Sequence, residues 1–556
     1  MEQYKLHAPD SYHKMFYIPL VYIPCSVSST VARYIQHTTL CTRAHTTVRA
    51  GSDVMTNNCT NYFRSWDRND LSTMEVFLYL GGFFLISCII GVANEKEIAP
   101  HKSLLPCGEE LDDISAFPGE ERYNQSLVIY NPGYGYLHPG FFAFPKSEID
   151  VQRCLKCAYE NHVDVVIRSG GHSILGYSTV GSEGFVIYLS EMNQVVIDDA
   201  AKVIHIQAGA RWGDIYNTTG SRYLVVGGMC PTVGVSGYVL GGGYSILSRY
   251  HGLAIDSLIS ATMVTANGSS VVFANSTVHP DLFWALRGGG GGNFGVVTKF
   301  SIQLHPTHPN YVYGTLKFQG DGTRQFLEIL SNTAPQLPKE VYFEFLIFPS
   351  QISVLNILFI GNYSNALKIL NPFIEIALSV DLKNYSSYDQ VLKATGKHIP
   401  ATTSQLPEVQ RGCVLKEMSK EVAKIVFGIE VPDSCRITFD QLGGAVNTYT
   451  SNETAYHHRN ASFDYYVVCF YSNASELGKV DQFEDNLFNS LAQGEHCAGG
   501  YINDIDSKVQ DWQHFYYSEN YERLVEIKQD WNPIGSGTLH FLQEIGSKYQ
   551  PKSSVM

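Results

Sequence analysis

The spacing of apolar residues changes along the chain, and the change falls near residue 306. In the first part, short β-rich runs alternate with amphipathic stretches. Residues 163–167 indicate a buried strand, and a helix before it begins with Ser147 in the capping-box pattern S-x-x-D. Two β-rich runs flank Asn267-Gly268, a pair that favours a hairpin turn. This alternation predicts an α+β fold up to about residue 306.

The pattern differs from Tyr311 to about Leu491, beyond the break "HPTHPN". Tyrosine-rich strands such as "VYFEFLIF" and "FDYYVVCFY" alternate with helical stretches. Strands of this kind, separated by helices, predict an antiparallel sheet covered by helices. The tail "ENYERLVEIKQDW" has helical periodicity again.

The composition is that of a globular protein, with 44% hydrophobic and 17% charged residues. A chain of 556 residues is too long for one ordinary core, so we expect two domains. The formal net charge of -14 argues against a general nucleic-acid binder, because phosphate backbones recruit basic surfaces. The motif "CLKC", at Cys154 and Cys157, lies on a predicted helix without a second CxxC pair, so neither a zinc site nor a redox motif is favoured. We expect no metal site.

An uncharged apolar run lies well inside the chain. Residues 76–93 carry no charge and end in Gly91-Val92-Ala93. We interpret residues 74–93 as a signal peptide cleaved near Asn94, although the run is also long enough for a membrane anchor. Residues 1–73 show no sustained periodicity. We predict that they form an extension that is disordered or absent from the mature protein.

Two further features favour secretion. Eight cysteines follow residue 94, which suits disulfides in an oxidising compartment. Asn-x-Ser/Thr acceptor sites, which suit an extracellular glycoprotein, occur at Asn124, Asn217, Asn267, Asn275, Asn362, Asn384, Asn452, Asn460 and Asn473. We therefore expect a secreted protein with no stable membrane partner.

Glycine-rich stretches indicate that the backbone approaches a bulky ligand closely. In "VVIRSGGHSILGYST", from residue 165, a β-rich strand ends in a Gly-Gly turn that presents His172. Residues 227–258 hold seven glycines before Ser248, and a second glycine run covers 288–292. Exposed amides in such turns can hold a pyrophosphate, yet the strand–GxGxxG–helix unit of a Rossmann fold is absent.

These motifs, together with "HPDLFWALRGGGGGNFGVVTKF" and "YINDID", resemble those of the berberine bridge enzyme-like FAD-linked oxidases in order and spacing. The resemblance covers residues 115–306 and 455–540. It implies a vanillyl-alcohol-oxidase-like FAD-binding domain of the PCMH type at 115–306, completed by 495–545. It also implies a substrate-binding domain at 307–494.

The resemblance implies two covalent bonds to FAD. The histidine of the "RSGGH" turn would bond the 8α-methyl group and the cysteine of the "CPTVG" turn would bond carbon 6, which here are His172 and Cys230. Residues of the same motifs would complete the cofactor site, and these are Arg168, Ser169, Gly170, Gly171, Ser173, Gly176, Val233, Gly234, Gly237, Gly242, Gly243 and Asn503. An incidental surface histidine and a disulfide at Cys230 are the alternatives.

The tyrosine of "YINDID" would act as catalytic base in carbohydrate-oxidising relatives, which here is Tyr501. A free tyrosine has a pKa of about 10, so a neighbouring cation or hydrogen-bond donor must stabilise its phenolate. His458 and Arg459 are candidates, and a packing role for Tyr501 is the alternative. In relatives the residue three after the flavin cysteine controls oxygen access. Val233 at that position favours an oxidase.

The family usually has other residues where this sequence has Ser236, Tyr238 and Ser245. These departures affect the local contacts expected with the pyrophosphate of FAD.

The leading hypothesis is a secreted FAD oxidase that takes hydride from an alcohol, foremost a carbohydrate, and returns electrons to O2 as hydrogen peroxide. Oxidation or ring closure of a secondary metabolite, with Glu340 or Glu344 as base, is an alternative. A secreted flavoprotein with little turnover is another.

Overall fold

The computed structural model describes residues 105–396, 406–532 and residue 545. All of these belong to one compact unit. The predicted extension 1–73 and the signal peptide 74–93 lie outside the described residues. Within the described ranges, no helix has both the length and the hydropathy needed to cross a membrane.

Two sheets form the part of the fold before residue 306. The first is mostly parallel, with order β1-β2-β4-β3, and the second is antiparallel, with order β5-β6-β10-β8-β9. The strands, including the small pair β7 and β11, are β1 Ser115–Ala116, β2 Phe142–Ala143, β3 Asp164–Arg168, β4 Gly184–Tyr188, β5 Val195–Asp198, β6 Val203–Gln207, β7 Tyr223–Leu224, β8 Leu258–Thr265, β9 Val271–Asn275, β10 Gly295–Gln303 and β11 His305–Pro306.

The predicted local structures before residue 306 are confirmed. The helix Glu148–Asn161 begins at Ser147, whose side chain accepts a hydrogen bond from the Asp150 amide. Strands β8 and β9 form the predicted hairpin, and Gly268 in its turn has φ +69°. Glycine adopts this left-handed conformation without the strain that a side chain would add.

A single antiparallel sheet of eight strands dominates the rest of the fold, as the tyrosine-rich pattern predicts. Its order is β15-β12-β14-β13-β17-β18-β16-β19. The strands are β12 Tyr311–Gln319, β13 Val341–Phe348, β14 Ile352–Ile360, β15 Ser379–Tyr385, β16 Glu408–Leu415, β17 Cys435–Gln441, β18 Phe463–Phe470 and β19 Cys497–Gly499.

Helices cover one face of the eight-stranded sheet. Strand β13 shows how the alternation works: Phe343 and Phe345 join the core under the helices, whereas Tyr342 and Glu344 face a cavity on the opposite side. The α-helices of the described ranges are Cys107–Glu110, Glu121–Ser126, Glu148–Asn161, Trp212–Thr219, Val235–Leu240, Ser248–His251, Pro280–Ala285, Asp321–Thr333, Tyr363–Ile374, Tyr388–Ala394, Lys420–Gly428, Ala474–Gln493, Trp512–Tyr517 and Tyr521–Trp531.

Three disulfides account for six of the eight cysteines after residue 94. They join Cys107 to Cys157, Cys413 to Cys497 and Cys435 to Cys469. Cys154 and Cys230 lie outside these bonds. The predicted disulfides are confirmed, and the alternative of a disulfide at Cys230 is not supported.

Candidate active site

The His172 turn and the Cys230 turn contact each other, although they lie far apart in sequence. An added Cβ at Gly170 would lie 2.2 Å from the backbone nitrogen of Gly234, and the reverse holds for Gly234. No other residue fits there, because backbone cannot move aside as a flexible side chain can. His172 Nε2 also lies 2.9 Å from Thr232 Oγ1. Both turns therefore open on one cavity of about 480 Å³.

The surroundings of His172 favour a neutral imidazole. Burial lowers its pKa to about 4, and the charge of Arg211 adds to this effect. At neutral pH the ring therefore carries a lone pair on one nitrogen. Because Nε2 is engaged with Thr232, Nδ1 is the nitrogen that remains for a bond to a ligand.

Cys230 and Val233 line the same cavity. The turn between them is closed by a hydrogen bond from the Val233 amide to the Cys230 carbonyl oxygen, at 3.2 Å. The carbonyl of Val233 accepts in turn from the amide of Trp212, at 3.1 Å. The backbone thus holds the Cys230 side chain in a defined place beside the His172 turn.

Gly237 faces open space, and the two glycine runs are in ordinary contact beside it. An added Cβ at Gly237 would meet no atom within 4 Å, whereas one at Gly291 would lie 3.8 Å from Leu240 Cδ1 and 4.0 Å from the Gly237 Cα. Neither glycine has positive φ, so the backbone does not require glycine there. A side chain would instead fill the cavity, so this cradle of small residues fits a bulky cofactor such as FAD.

Most residues predicted to bind the cofactor line this cavity. Those that do are His172, Cys230, Ser169, Gly170, Gly171, Ser173, Val233, Gly234, Gly237 and Asn503, and the predicted base Tyr501 lines it as well. Four others do not line it, and these are Arg168, Gly176, Gly242 and Gly243. Each of these four has contacts that support the walls of the cavity, and their part in cofactor binding stays a prediction.

Arg168 and Gly176 support the His172 loop. The guanidinium of Arg168 is buried and donates to the carbonyl oxygens of Ser126 and Ser178. Gly176 has φ +72°, and an added Cβ would lie 2.5 Å from the ring of Tyr134. Both residues therefore shape the loop from behind.

Gly242 and Gly243 support the tyrosine side of the cavity. Gly242 has φ +124° and packs against the Tyr456 ring. The amide of Gly243 donates to the Tyr501 hydroxyl at 3.1 Å. These glycines therefore position Tyr501.

The side chains of the residues that depart from the usual pattern form hydrogen bonds with the protein. Ser236 Oγ donates to the carbonyl oxygen of Ala208 at 2.7 Å, and Ser169 Oγ donates to the same oxygen. The Tyr238 hydroxyl donates to the carbonyl oxygen of Tyr244, and Ser245 Oγ accepts from a nearby amide. The changed side chains thus reinforce the loop.

Tyr501 is buried, and its hydroxyl oxygen lies near two N–H donors. These are the Gly243 amide at 3.1 Å and the side-chain amide of Asn503 at 2.8 Å. Both bonds favour a phenolate, but burial and the charge of Asp504 raise the pKa of Tyr501 well above its usual value. In this state of the site the hydroxyl therefore keeps its proton at neutral pH.

The cations suggested for Tyr501 are engaged elsewhere. His458 Nε2 hydrogen-bonds the carbonyl oxygen of Phe515 at 2.9 Å. Arg459 forms a buried two-bond ion pair with Asp256, each bond 2.8 Å long. The expectation that one of them stabilises the phenolate is wrong, and backbone and amide N–H groups take that place.

A row of carboxyl groups crosses the sheet beneath the cavity, and most of it is missed by sequence reasoning. Glu344, Asp440 and Asp464 are directly paired on β13, β17 and β18. The hydroxyls of Tyr342 and Tyr244 both donate to Asp440, the second at 3.2 Å. Strict alternation along β17 and β18, once their buried faces are known, would have found these residues.

The carboxyl groups of Asp464 and Asp504 form a coupled pair. Burial raises the pKa of both groups, and the nearby charges of Asp504 and Asp440 raise that of Asp464 further. Two such groups in contact oppose each other's ionisation, because two charges close together in a buried place are costly.

Comparisons with known proteins agree with this site. A model for an FAD binding domain matches residues 139–274, and one described as berberine and berberine like matches residues 500–535. YgaK of Bacillus subtilis, named as an uncharacterized FAD-linked oxidoreductase, is 29% identical over 414 residues, which cover 71% of this chain and 89% of that protein. Tetrahydroberberine oxidase of Argemone mexicana is 26% identical over 440 residues, which cover 71% of this chain and 81% of that protein.

The fold is also that of a solved structure, BBE-like 1 of Physcomitrella patens. The TM-score is 0.73 at 24% identity, over 80% of this chain and 100% of the other. The fold and the site define an FAD-linked oxidoreductase, with a PCMH-type FAD-binding domain and a helix-covered antiparallel sheet. The matching domains and relatives support the berberine bridge enzyme-like family of FAD-linked oxidases.

Proposed function

We propose that this protein is a secreted oxidase whose FAD is bonded covalently to both His172 and Cys230. It takes hydride from an alcohol substrate, foremost a sugar, and returns the electrons to O2 as hydrogen peroxide. The observation that carries the proposal is the contact between the two glycine turns at Gly170 and Gly234. It places both attachment side chains on the cavity that Tyr501 also lines.

The state of His172 supports its role as an attachment point. A nucleophilic nitrogen needs a lone pair, and the lowered pKa keeps the imidazole neutral across the physiological range. The contact with Thr232 fixes which nitrogen is available. Cys230 offers the second attachment atom from the adjoining turn.

FAD, when bound, supplies the hydride acceptor and passes electrons on to O2. The chain supplies the proton acceptor, for which we propose Tyr501. Its oxygen lies close to the N–H groups of Gly243 and Asn503, which stabilise the phenolate that forms at higher pH. Because the pKa of Tyr501 is raised, activity rises with pH through the neutral range.

The substrate is proposed to lie against the polar face of the eight-stranded sheet. Tyr342, Tyr466, Glu344 and Asp440 line the cavity on that side and present many hydrogen-bonding groups. Such a face suits a polyhydroxylated substrate. We accordingly assign residues 307–494 to substrate binding and residues 115–306, with 495–545, to flavin binding.

A second candidate function is oxidation of an amine-bearing secondary metabolite. Glu344 favours it, because this carboxylate lines the cavity and accepts a hydrogen bond from Asn356 at 2.7 Å. Glu340, the other glutamate considered as a base, is not among the lining residues. A relative named tetrahydroberberine oxidase is consistent with this candidate.

Val233 supports O2 as the electron acceptor, and the protein surface and the disulfides support secretion. Val233 lines the cavity beside Cys230, where a small side chain leaves room for O2. Of the nine acceptor asparagines, eight are exposed and Asn275 is half-buried, so the surface is open to glycosylation. Three disulfides suit an oxidising compartment.

Oxygen uptake and peroxide release test the activity directly. The purified protein is assayed with matched panels of neutral sugars, other alcohols and cyclic amines. We expect peroxide in step with oxidised sugar or alcohol. Turnover of amines alone would move the assignment to the second candidate, and no turnover of any panel would favour a flavoprotein with little activity.

A further inference from the structure

Tyr130 lies against the imidazole of His172, and the proposed reaction gives it no role. The two rings stack with centroids 4.6 Å apart and planes 24° apart. The Tyr130 amide also donates to the Gly171 carbonyl oxygen at 3.1 Å. Ring and backbone of this residue therefore both hold the His172 turn.

The next residue ties this contact to the eight-stranded sheet. Asn131 Nδ2 donates to the carbonyl oxygens of Glu408 and Ile174, each at 2.8 Å. The Glu408 amide donates back to Asn131 Oδ1 at 3.3 Å. One side-chain amide thus joins the loop after His172 to the first residue of β16, and Tyr130 sits between them.

The hydroxyl end of Tyr130 meets the carboxyl group of Glu408, which is 3% exposed. Burial raises the pKa of Tyr130, so its hydroxyl stays protonated beside this carboxyl group. Arg436 of β17 contributes a positive charge near Glu408. The Tyr130 side chain therefore lies between the His172 ring and the Glu408 carboxyl group.

A bond to a cofactor requires a fixed imidazole plane, because an imidazole that turns freely seldom points its nitrogen at the reacting carbon. Thr232 holds one edge of the His172 ring, and Tyr130 covers one face. Together these two contacts leave Nδ1 in a single orientation.

We propose that Tyr130 is a positioning residue for the covalent attachment of flavin to His172, and that Asn131 and Glu408 hold Tyr130 in place. The inference rests on the proposed linkage at His172. Attachment replaces the N–H of the imidazole and one C–H of the flavin's 8α-methyl group by an N–C bond. The two hydrogens and two electrons pass through the flavin to O2, which leaves as hydrogen peroxide.

The test is made in a Cys230→Ala background, where His172 is the sole proposed attachment point. Total bound flavin is measured first, and the flavin that stays with the polypeptide after acid precipitation is measured next. We expect Tyr130→Leu to lower the covalent share of the bound flavin about fivefold or more, because the imidazole loses its orientation. Tyr130→Phe keeps the stacking ring and should restore most of that share.

Tyr136→Leu is the matched control, since Tyr136 lies on the same loop and is 61% exposed. It should leave the covalent share unchanged. Glu408→Leu removes the anchor but not the ring, and should lower the share about twofold. If Tyr130→Leu does not fold, the covalent share in Glu408→Leu still tests the proposal.

The outcomes separate this inference from the proposed function. If Cys230→Ala alone releases all of its flavin into acid, the His172 linkage fails and the inference fails with it. If Cys230→Ala keeps its flavin, and Tyr130→Leu and Glu408→Leu keep the same covalent share, the linkage stands and the role of Tyr130 is overturned. A variant that merely unfolds loses total flavin rather than the covalent share.

Discussion

Burial shifts the pKa values of His172 and Tyr501. The shift favours the proposed role of His172 and opposes that of Tyr501. His172 becomes neutral over the whole physiological range, which prepares it to bond a cofactor. Tyr501 becomes harder to ionise, which works against a base. The N–H groups of Gly243 and Asn503 oppose this effect, so Tyr501 depends on its neighbours in a way that His172 does not.

Replacing Tyr501 tests whether it carries the proton. We expect Tyr501→Phe to lower kcat by about 10²–10⁴ while flavin content is unchanged, because a positioned proton acceptor contributes that much. Stopped-flow reduction of the flavin by substrate measures the step. Tyr456→Phe is the control, since its ring lies 6.3 Å away and its buried hydroxyl has no hydrogen-bond partner among the described residues. Nearly full activity of Tyr501→Phe would contradict the role.

The charge of Asp504 sets the pH dependence of the reaction in this account. A negative charge raises the pKa of Tyr501, so its removal lowers that pKa. Asp504→Asn should therefore move the rising limb of the pH–rate profile to lower pH by about one unit. Asp504→Glu keeps the charge and should leave the limb in place. A limb that stays put in Asp504→Asn would mean that another group titrates.

Sequence reasoning finds the residues whose signal is local. His172 and Cys230 each stand in a short glycine turn, and that turn is visible in a few adjacent letters. Asp440 and Asp464 are different, because each is one polar position in an ordinary strand. Only the pairing of β17 with β18 places them side by side.

At the scale of elements, most helices and strands follow from periodicity and turn chemistry. The capped helix after Ser147 and the hairpin at Asn267-Gly268 both form as predicted. The contact between the glycine turns does not follow from spacing, because 64 residues separate Gly170 from Gly234. Pairing of distant elements is decided by tertiary packing, which a single sequence does not display.

Substitution of Gly234 and of Gly237 should distinguish an effect on folding from an effect on cofactor binding. Gly234→Ala would force a Cβ against the backbone of Gly170, so we expect a loss of about 1–3 kcal/mol in the free energy of unfolding. Gly237→Ala lies in the helix Val235–Leu240 with open space around it, so the apoprotein should gain about 0.5–1 kcal/mol.

Flavin content completes that comparison. The Cβ of Gly237→Ala enters the cradle, so we expect this more stable variant to lose at least half of its bound flavin. Chemical unfolding measures stability, and absorbance of the purified protein measures flavin. A Gly237→Ala protein with full flavin content would show that the cofactor does not lie against Gly237.

At the scale of the whole molecule, three histidines meet near the junction of the two sheet regions. The ring centroid of His251 lies 4.2 Å from that of His305 and 5.8 Å from that of His308. Burial lowers the pKa of all three, and that of His251 falls to about 3. Lys339 adds positive charge near His251 and His308, and Glu340 partly offsets it at His308.

These histidines predict a loss of stability in mild acid. The unfolded chain binds protons at a pKa of about 6.5, whereas the folded cluster resists them, so stability is full above that pH and declines as pH falls toward 4. Thermal unfolding between pH 7 and 4 measures the decline. His251→Phe keeps a ring without a titrating group and should decline less steeply. Equal slopes would exclude the cluster as a cause.

The overall architecture is predicted better than the chemistry beneath the cavity. The sequence patterns before and after residue 306 correspond to different sheets. Six of the cysteines form disulfides, as an oxidising compartment allows. The division at residue 306 and secretion stay predictions. The carboxyl row is the part that only the folded molecule displays, because β13, which carries Glu344, is separated in sequence by β14, β15 and β16 from the strands that carry Asp440 and Asp464.

Acid precipitation of the purified protein and its variants tests the double attachment of flavin. We expect flavin to stay with the wild-type polypeptide and with the single variants His172→Ala and Cys230→Ala. Only the double variant should release it. Free flavin from the wild-type protein, or retention by the double variant, would contradict attachment through these two side chains.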